Sequence, residues 1–253
     1  MKSVACWLGC FLAMSAVENS HAQANCQTAG VQGLYGLTTQ ALGEAGIEGT
    51  TLSLFQFDGQ GSVDETYYVN TANKSWRARA LGDYSVASDC RFSLQVKNPD
   101  GSLYALEGRL NPADFSVNVI QTLPDNPLVS VGTLQRIGFK SCKTRNFLGR
   151  YAFLSQGRVP SSSSSSGAKV PQSRVGWFFA DGEALQQPVE WVNSNGSVSE
   201  TPPTQIPSET LETCLLNIDN GGFAGVIVDR GRKILYMDLA AGSYRLGVMQ
   251  KVP

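Results

Sequence analysis

The chain repeats itself. Cys26 is followed seven residues later by Gly33-Leu34-Tyr35-Gly36-Leu37, and Cys142 seven residues later by Gly149-Arg150-Tyr151-Ala152-Phe153. The two ends align as well: Val131-Gly132-Thr133-Leu134-Gln135-Arg136-Ile137 matches Leu246-Gly247-Val248-Met249-Gln250-Lys251-Val252. Between them, Phe57-Asp58-Gly59 faces Ala180-Asp181-Gly182, and Cys90 faces Cys214. Four matches in one order, two of them carrying cysteines, mark a duplication. The period of about 115 residues is far longer than the roughly 20–50 residues of a solenoid unit. Each copy must therefore be a domain, the first over 25–139 and the second over 140–253.

Strand signals dominate the first copy. Residues 50–57 and 62–70 are rich in β-formers and flank Asp58-Gly59-Gln60-Gly61, a hairpin break. Residues 76–86 and 90–96 follow, then the turn Asn98-Pro99-Asp100-Gly101. Residues 102–110, 115–121 and 129–137, with 34–39 at the start, bring the set to eight. No stretch has sustained helical periodicity with caps. Short strands in series predict an up-and-down meander, and eight strands close into a small barrel without exposed edges. The fold class expected is thus all-β, with two tandem antiparallel eight-stranded barrels. The second copy is less regular. A run of six serines, Ser161 to Ser166, sits in its first long loop, and Pro202, Pro203 and Pro207 fall where a fourth strand should be, a position that disfavours proline.

The first 24 residues read as a secretory signal: Lys2, an uncharged stretch over 3–17, and the small-x-small site Ala22-Gln23-Ala24. The apolar run is shorter than the roughly 20 residues of a membrane span. Export to the periplasm or the medium is the expectation, with no transmembrane segment after cleavage. His21 is the only histidine, so the mature chain would have none, which removes Ser-His-Asp and Cys-His catalysis and histidine metal ligands. Cys6 and Cys10 leave too. Cys26, Cys90, Cys142 and Cys214 remain, an even count that in an exported chain reads as two disulfides. Of three possible pairings, repetition favours Cys26–Cys90 and Cys142–Cys214, each closing a loop within its own copy. No cofactor and no tightly held transition metal are expected. The net charge of −1 argues against a nucleic-acid partner, which requires a basic face.

In the order G-x-Y, F-D-G-x-G and G-x-Y-x-V-x-x-D-C (Gly33 to Tyr35, Phe57 to Gly61, Gly82 to Cys90), the first copy resembles a family of small exported bacterial β domains of unassigned function. The resemblance implies a calycin-like barrel, near the lipocalins or the allene-oxide-cyclase and dirigent group. It covers the whole first copy. In the second copy it holds at Gly149-Arg150-Tyr151, Asp181-Gly182 and Cys214, with Ala184 in place of the second glycine of the turn. These motifs specify turns and packing, so no catalytic residue is carried over.

Candidate ligand contacts come from period-two alternation. Arg77 and Arg79 share one face of their strand and Trp76 and Ala78 the other; Glu107 and Arg109 also share a face. Turned inward, these charges would hold a polar or anionic ligand; turned outward, they form a solvated surface with weak ion pairs. Tyr67, Tyr68, Tyr84, Tyr104 and Tyr236 offer phenols, and Trp177, Phe179 and Trp191 could line a cavity, although consecutive aromatics on a strand point to opposite faces. Three functions follow: a non-catalytic binder of a small apolar or amphipathic molecule, a cofactor-free cyclase or isomerase, or a surface-interaction protein with solid barrels. The interior discriminates between them. An open cavity with a lone buried carboxylate favours the second, an apolar cavity the first, and side chains filling both barrels the third.

Overall fold

A computed structural model describes residues 26–43, 46–122, 129–161 and 168–253. The expected signal segment and Ser162 to Ser166 of the serine run lie outside the described residues.

The first copy is a closed barrel of β1 (Gln32–Gly43), β2 (Gly46–Asp58), β3 (Ser62–Asn70), β4 (Ser75–Val86), β5 (Arg91–Lys97), β6 (Leu103–Leu110), β7 (Val117–Thr122) and β8 (Val129–Arg136). Each strand pairs antiparallel with the next, and β8 returns to β1. The alternation that makes the strands is plain in β5, where Phe92, Leu94 and Val96 are buried between exposed Arg91, Gln95 and Lys97. Two predicted strand starts move. Cys90 and Phe115 have φ of 67° and 58°, left-handed values outside the extended region that a side-chain-bearing strand residue takes, so β5 and β7 begin after them. The Asp58 motif is a turn: its carboxylate accepts the N–H groups of Gln60, Gly61 and Ser62 at 2.7, 3.0 and 2.9 Å. Those donors hold its acid below the ordinary carboxylate range.

The second copy closes through β9 (Gly149–Pro160), β10 (Lys169–Ala180), β11 (Ala184–Ser194), β13 (Ile206–Thr210), β14 (Leu215–Ile218), β15 (Phe223–Val228), β16 (Lys233–Asp238) and β17 (Leu246–Lys251), which pairs with β9. An extra strand, β12 (Ser197–Thr201), is a hairpin on β11 beyond the ring of eight. The prolines explain it. Pro202 and Pro203 lack the N–H that a ladder needs, so the fourth ring strand starts only at Ile206 and is five residues long, against twelve in β4. Disulfides join Cys26 to Cys90 and Cys142 to Cys214, with Cα separations of 5.0 and 4.8 Å.

The barrels meet side by side. Leu52 and Leu54, on the outer face of β2, are buried in one cluster with Val226, Val228, Leu235 and Met237 of the second copy. A Cβ on Gly36 would stand 2.7 and 2.8 Å from Cγ1 of Val226 and of Val228, so only glycine lets β1 approach this closely. Fully buried Asn70 donates its amide to the carbonyls of Asp238, Ala240 and Ser243 at 2.9, 2.8 and 2.7 Å. The outer faces of the two copies thus share a core, which the sequence periodicity of either copy alone does not disclose.

Candidate functional site

One end of the first barrel is solid. Tyr35, Phe55, Phe57, Tyr84 and Phe92 pack ring on ring, with Phe57 centred 5.3 Å from Tyr35 and 4.7 Å from Tyr84. The Tyr84 hydroxyl ties this plug to the backbone, donating to the Val31 carbonyl at 2.7 Å and accepting the Gly59 N–H at 2.9 Å. The other end is open. A cavity of about 620 Å³ lies there, lined by apolar Leu37, Val69, Trp76, Ala78 and Leu106 and by polar residues that include Ser53, Glu65, Asn98, Asp100 and Tyr104. Its size suits one small ligand.

The polar group that matters most is Glu65. On β3, Val63, Glu65, Tyr67 and Val69 fall in phase and face inward. Glu65 pairs across the sheet with Phe55 of the plug and Ala80 of β4, so it sits where the solid half meets the open half. It is only 1% exposed. The Tyr104 hydroxyl, projecting inward from β6, donates to Glu65 Oε2, and the Ser53 side chain bonds the same carboxyl. Burial pushes the Glu65 acid up to about 7, against the lowering effect of those two hydrogen bonds. Tyr104 is raised well above the ordinary phenol range, by its own burial first and by the neighbouring carboxylate second. Tyr104 therefore stays a donor at every physiological pH, whereas Glu65 switches between acid and carboxylate close to neutrality. Tyr67 closes one side of the cavity and donates to Asn98 Oδ1 at 3.1 Å.

The second barrel has less room. Phe147, Tyr151 and Phe178 form its plug, and a cavity of only about 120 Å³ remains above it. Tyr236 and Met249 fill much of the space, and Arg245 is locked to buried Asp238 at 2.7 Å.

The other candidate residues fall elsewhere. Arg77 and Arg79 point outward, the solvated one of the two placements that alternation left open; Arg79 pairs with Asp64 on the outer face, and Arg77 lies over the Tyr68 ring. Glu107 and Arg109 are outward as well, bound to the Ser93 hydroxyl at 2.7 Å and the Asp89 carbonyl at 3.1 Å. The inward residues on that strand are Tyr104, Leu106 and Leu110. Charge drives this choice, since an unpaired ion costs most in an apolar interior. Trp177, Phe179 and Trp191 are exposed, and the aromatic ring between the first two, Phe178, is the one buried. Of the candidates, Tyr67 and Tyr104 line the cavity of the first barrel and Tyr236 that of the second. Glu65 was missed, although Val63-x-Glu65-x-Tyr67-x-Val69 places a lone acid on an apolar face.

No family model and no curated protein matches the chain. Among solved structures it is similar to a provisionally designated AttH from Nitrosomonas europaea, at 6% identity and a TM-score of 0.32, over 87% of this chain and 92% of that one. It is also similar to a protein of unknown function from the DUF3598 family of Nostoc punctiforme, at 10% identity and a TM-score of 0.25, over 91% and 99%.

Proposed function

We propose that the first barrel binds one small amphipathic molecule. Its apolar body occupies the cavity between Leu37, Trp76 and Leu106, and a carbonyl or hydroxyl meets Glu65 and Tyr104. The observation that carries this is an open cavity of ligand size whose lining sets apolar Leu37, Val69, Trp76, Ala78 and Leu106 beside hydrogen-bonding groups. Both disulfides suit an oxidising compartment, which supports reading the protein as exported, and a closed eight-stranded ring with a ligand-sized interior supports the calycin-like reading. No helix among the described residues is long and apolar enough to cross a membrane. The test is titration with 1-aminoanthracene, a neutral apolar fluorophore, read by its own emission under direct excitation. Saturable binding at one site per chain, abolished by filling the cavity with Ala78→Trp, is the expected result. Binding that never saturates, or that survives the filled cavity, refutes it.

A second reading rests on the same carboxyl. An acid raised to about 7 by burial has the proton affinity wanted of a general acid–base group at neutral pH. Bound beside a carbonyl compound, Glu65 would remove a proton from the α-carbon and return it elsewhere, with Tyr104 available to stabilise the enol oxygen. This is an isomerisation without a cofactor. Deuterium exchange into the α-carbon of a bound aromatic ketone, lost in Glu65→Gln while binding persists, supports it. Equal exchange in both proteins leaves the barrel a binder alone.

A further inference from the structure

The second barrel presents an apolar outer face that none of the described residues covers. A barrel strand normally turns polar side chains to water, and the first barrel does so with Asp64, Arg77, Arg79 and Arg109, although Leu81 and the pair Ile120 and Val131 are exposed there too. On the second, strand register instead aligns Val248, Leu154, Val175 and Trp191 in one row across β17, β9, β10 and β11. The next row is Ala152, Trp177 and Val189, and the one after is Arg150, Phe179 and Gln186. Leu154, Val175 and Phe179 are 55%, 50% and 50% exposed, and Trp177 and Trp191 are 38% and 41% exposed. Each large aromatic presents roughly 150–250 Å² in full, so the half-exposed rings with the aliphatics between them reach the size of the largest patch on a typical monomer, about 300–600 Å², which often serves an interaction.

Position within the ring sharpens the point. β10 stands four strands from β15 in either direction, so this face is opposite the one already covered by the first barrel. The covered face is of the same kind: outward apolar side chains on adjacent strands, joined to the flat side of another barrel.

We infer that this face joins two copies of the chain across a two-fold axis. Charge decides for a second copy over other occupants. Arg150 and Glu200 are the charged residues at the two ends of the patch, and neither forms an ion pair among the described residues. Glu200 ends the row that contains Val175 and Trp191, on β12. Arg150 lies on β9, two strands across and two rows along from Trp191. A two-fold axis in the plane of the patch, midway between them, sets Arg150 of each copy over Glu200 of the other. That midpoint falls between Trp177 and Val189, so the two Trp177 rings meet close to the axis. An apolar, aromatic centre with charge confined to the rim is the composition of a protein interface, and the patch with its rim approaches the roughly 800 Å² per partner of a standard one.

The experiment is sedimentation equilibrium of the purified protein. A dimer is expected at ~50 μM. Val175→Lys or Leu154→Lys, each placing a charge mid-patch on a side chain already half in water, should give a monomer with an unchanged thermal transition. Arg150→Glu and Glu200→Arg should each weaken the dimer about tenfold, and the two together should restore it, because the swapped charges still meet across the axis. A monomer at that concentration overturns the inference, whether or not the Trp177 face is then found to hold a sugar or another protein. So does a dimer that survives both lysine variants, or a charge swap that fails to restore association.

Discussion

Replacing Glu65 by glutamine separates the carboxyl's charge from its shape. In the folded chain this acid titrates at about 7, against 4.5 as its ordinary value. Between those two values the native state holds a proton that the unfolded chain has released. Stability therefore falls as pH rises through the window, by about 1.4 kcal/mol per pH unit. Across the whole window the loss is about 3 kcal/mol, fully incurred above pH 7 and absent below the unfolded value. Glutamine does not titrate, so the variant lacks this slope. Other carboxylates act in the opposite sense: Asp58, Asp100, Asp114 and Asp181 are all held low by hydrogen bonds at turns, so their contribution is fully present above their unfolded range and is lost as pH falls toward their folded values. The informative quantity is thus the difference between the two proteins at each pH. Guanidinium unfolding at pH 4, 5, 6, 7 and 8 measures it, and Glu65→Gln should gain on the parent by about 3 kcal/mol between the lowest and highest pH. Parallel curves would refute the reasoning, since they would mean that Glu65 is solvated or already ionised in the fold, and the floor of the cavity would lose its switchable group.

Three further outcomes are expected. Gly36→Val drives a side chain into the Val226 and Val228 methyls at the barrel contact and should cost roughly 1–3 kcal/mol by overpacking, read as a lower denaturant midpoint. Cys26→Ser with Cys90→Ser opens a 64-residue loop and should remove up to about 4 kcal/mol, while the second barrel's own disulfide remains. Residues 25–139 expressed alone should still show a cooperative transition, because that barrel closes on itself; the freed Leu52 and Leu54 should make it self-associate in light scattering, and Leu54→Thr should relieve this. A fragment with no transition would mean that the barrels cannot form apart.

The duplication, the all-β class, the eight strands of the first copy and both cysteine pairs were legible in the chain. Each depends on local patterns: alternation along a strand, glycine and aspartate at turns, and a repeat that assigns one cysteine pair to each copy. The alternation also divided each strand into two faces, but it could not say which face was inside. For Trp76 to Ala80 it left Arg77 and Arg79 with two addresses, and desolvation chose water for them. At Trp177 to Phe179 the apolar pattern offered no such bias, and only ring closure buried Phe178 and left its neighbours outside. Glu65 shows the same limit from the other direction. Its position is a local fact, in phase with Val63 and Tyr67, but its proton affinity comes from Phe55, Ala80, Ser53 and Tyr104 on three other strands. The contact of one barrel with the other is likewise non-local, since Gly36 and Val226 are far apart in the chain and neither predicts the other. Strand periodicity is a property of neighbours in sequence; burial, pKa and interface are sums over neighbours in space, and only the closed barrels define who those are.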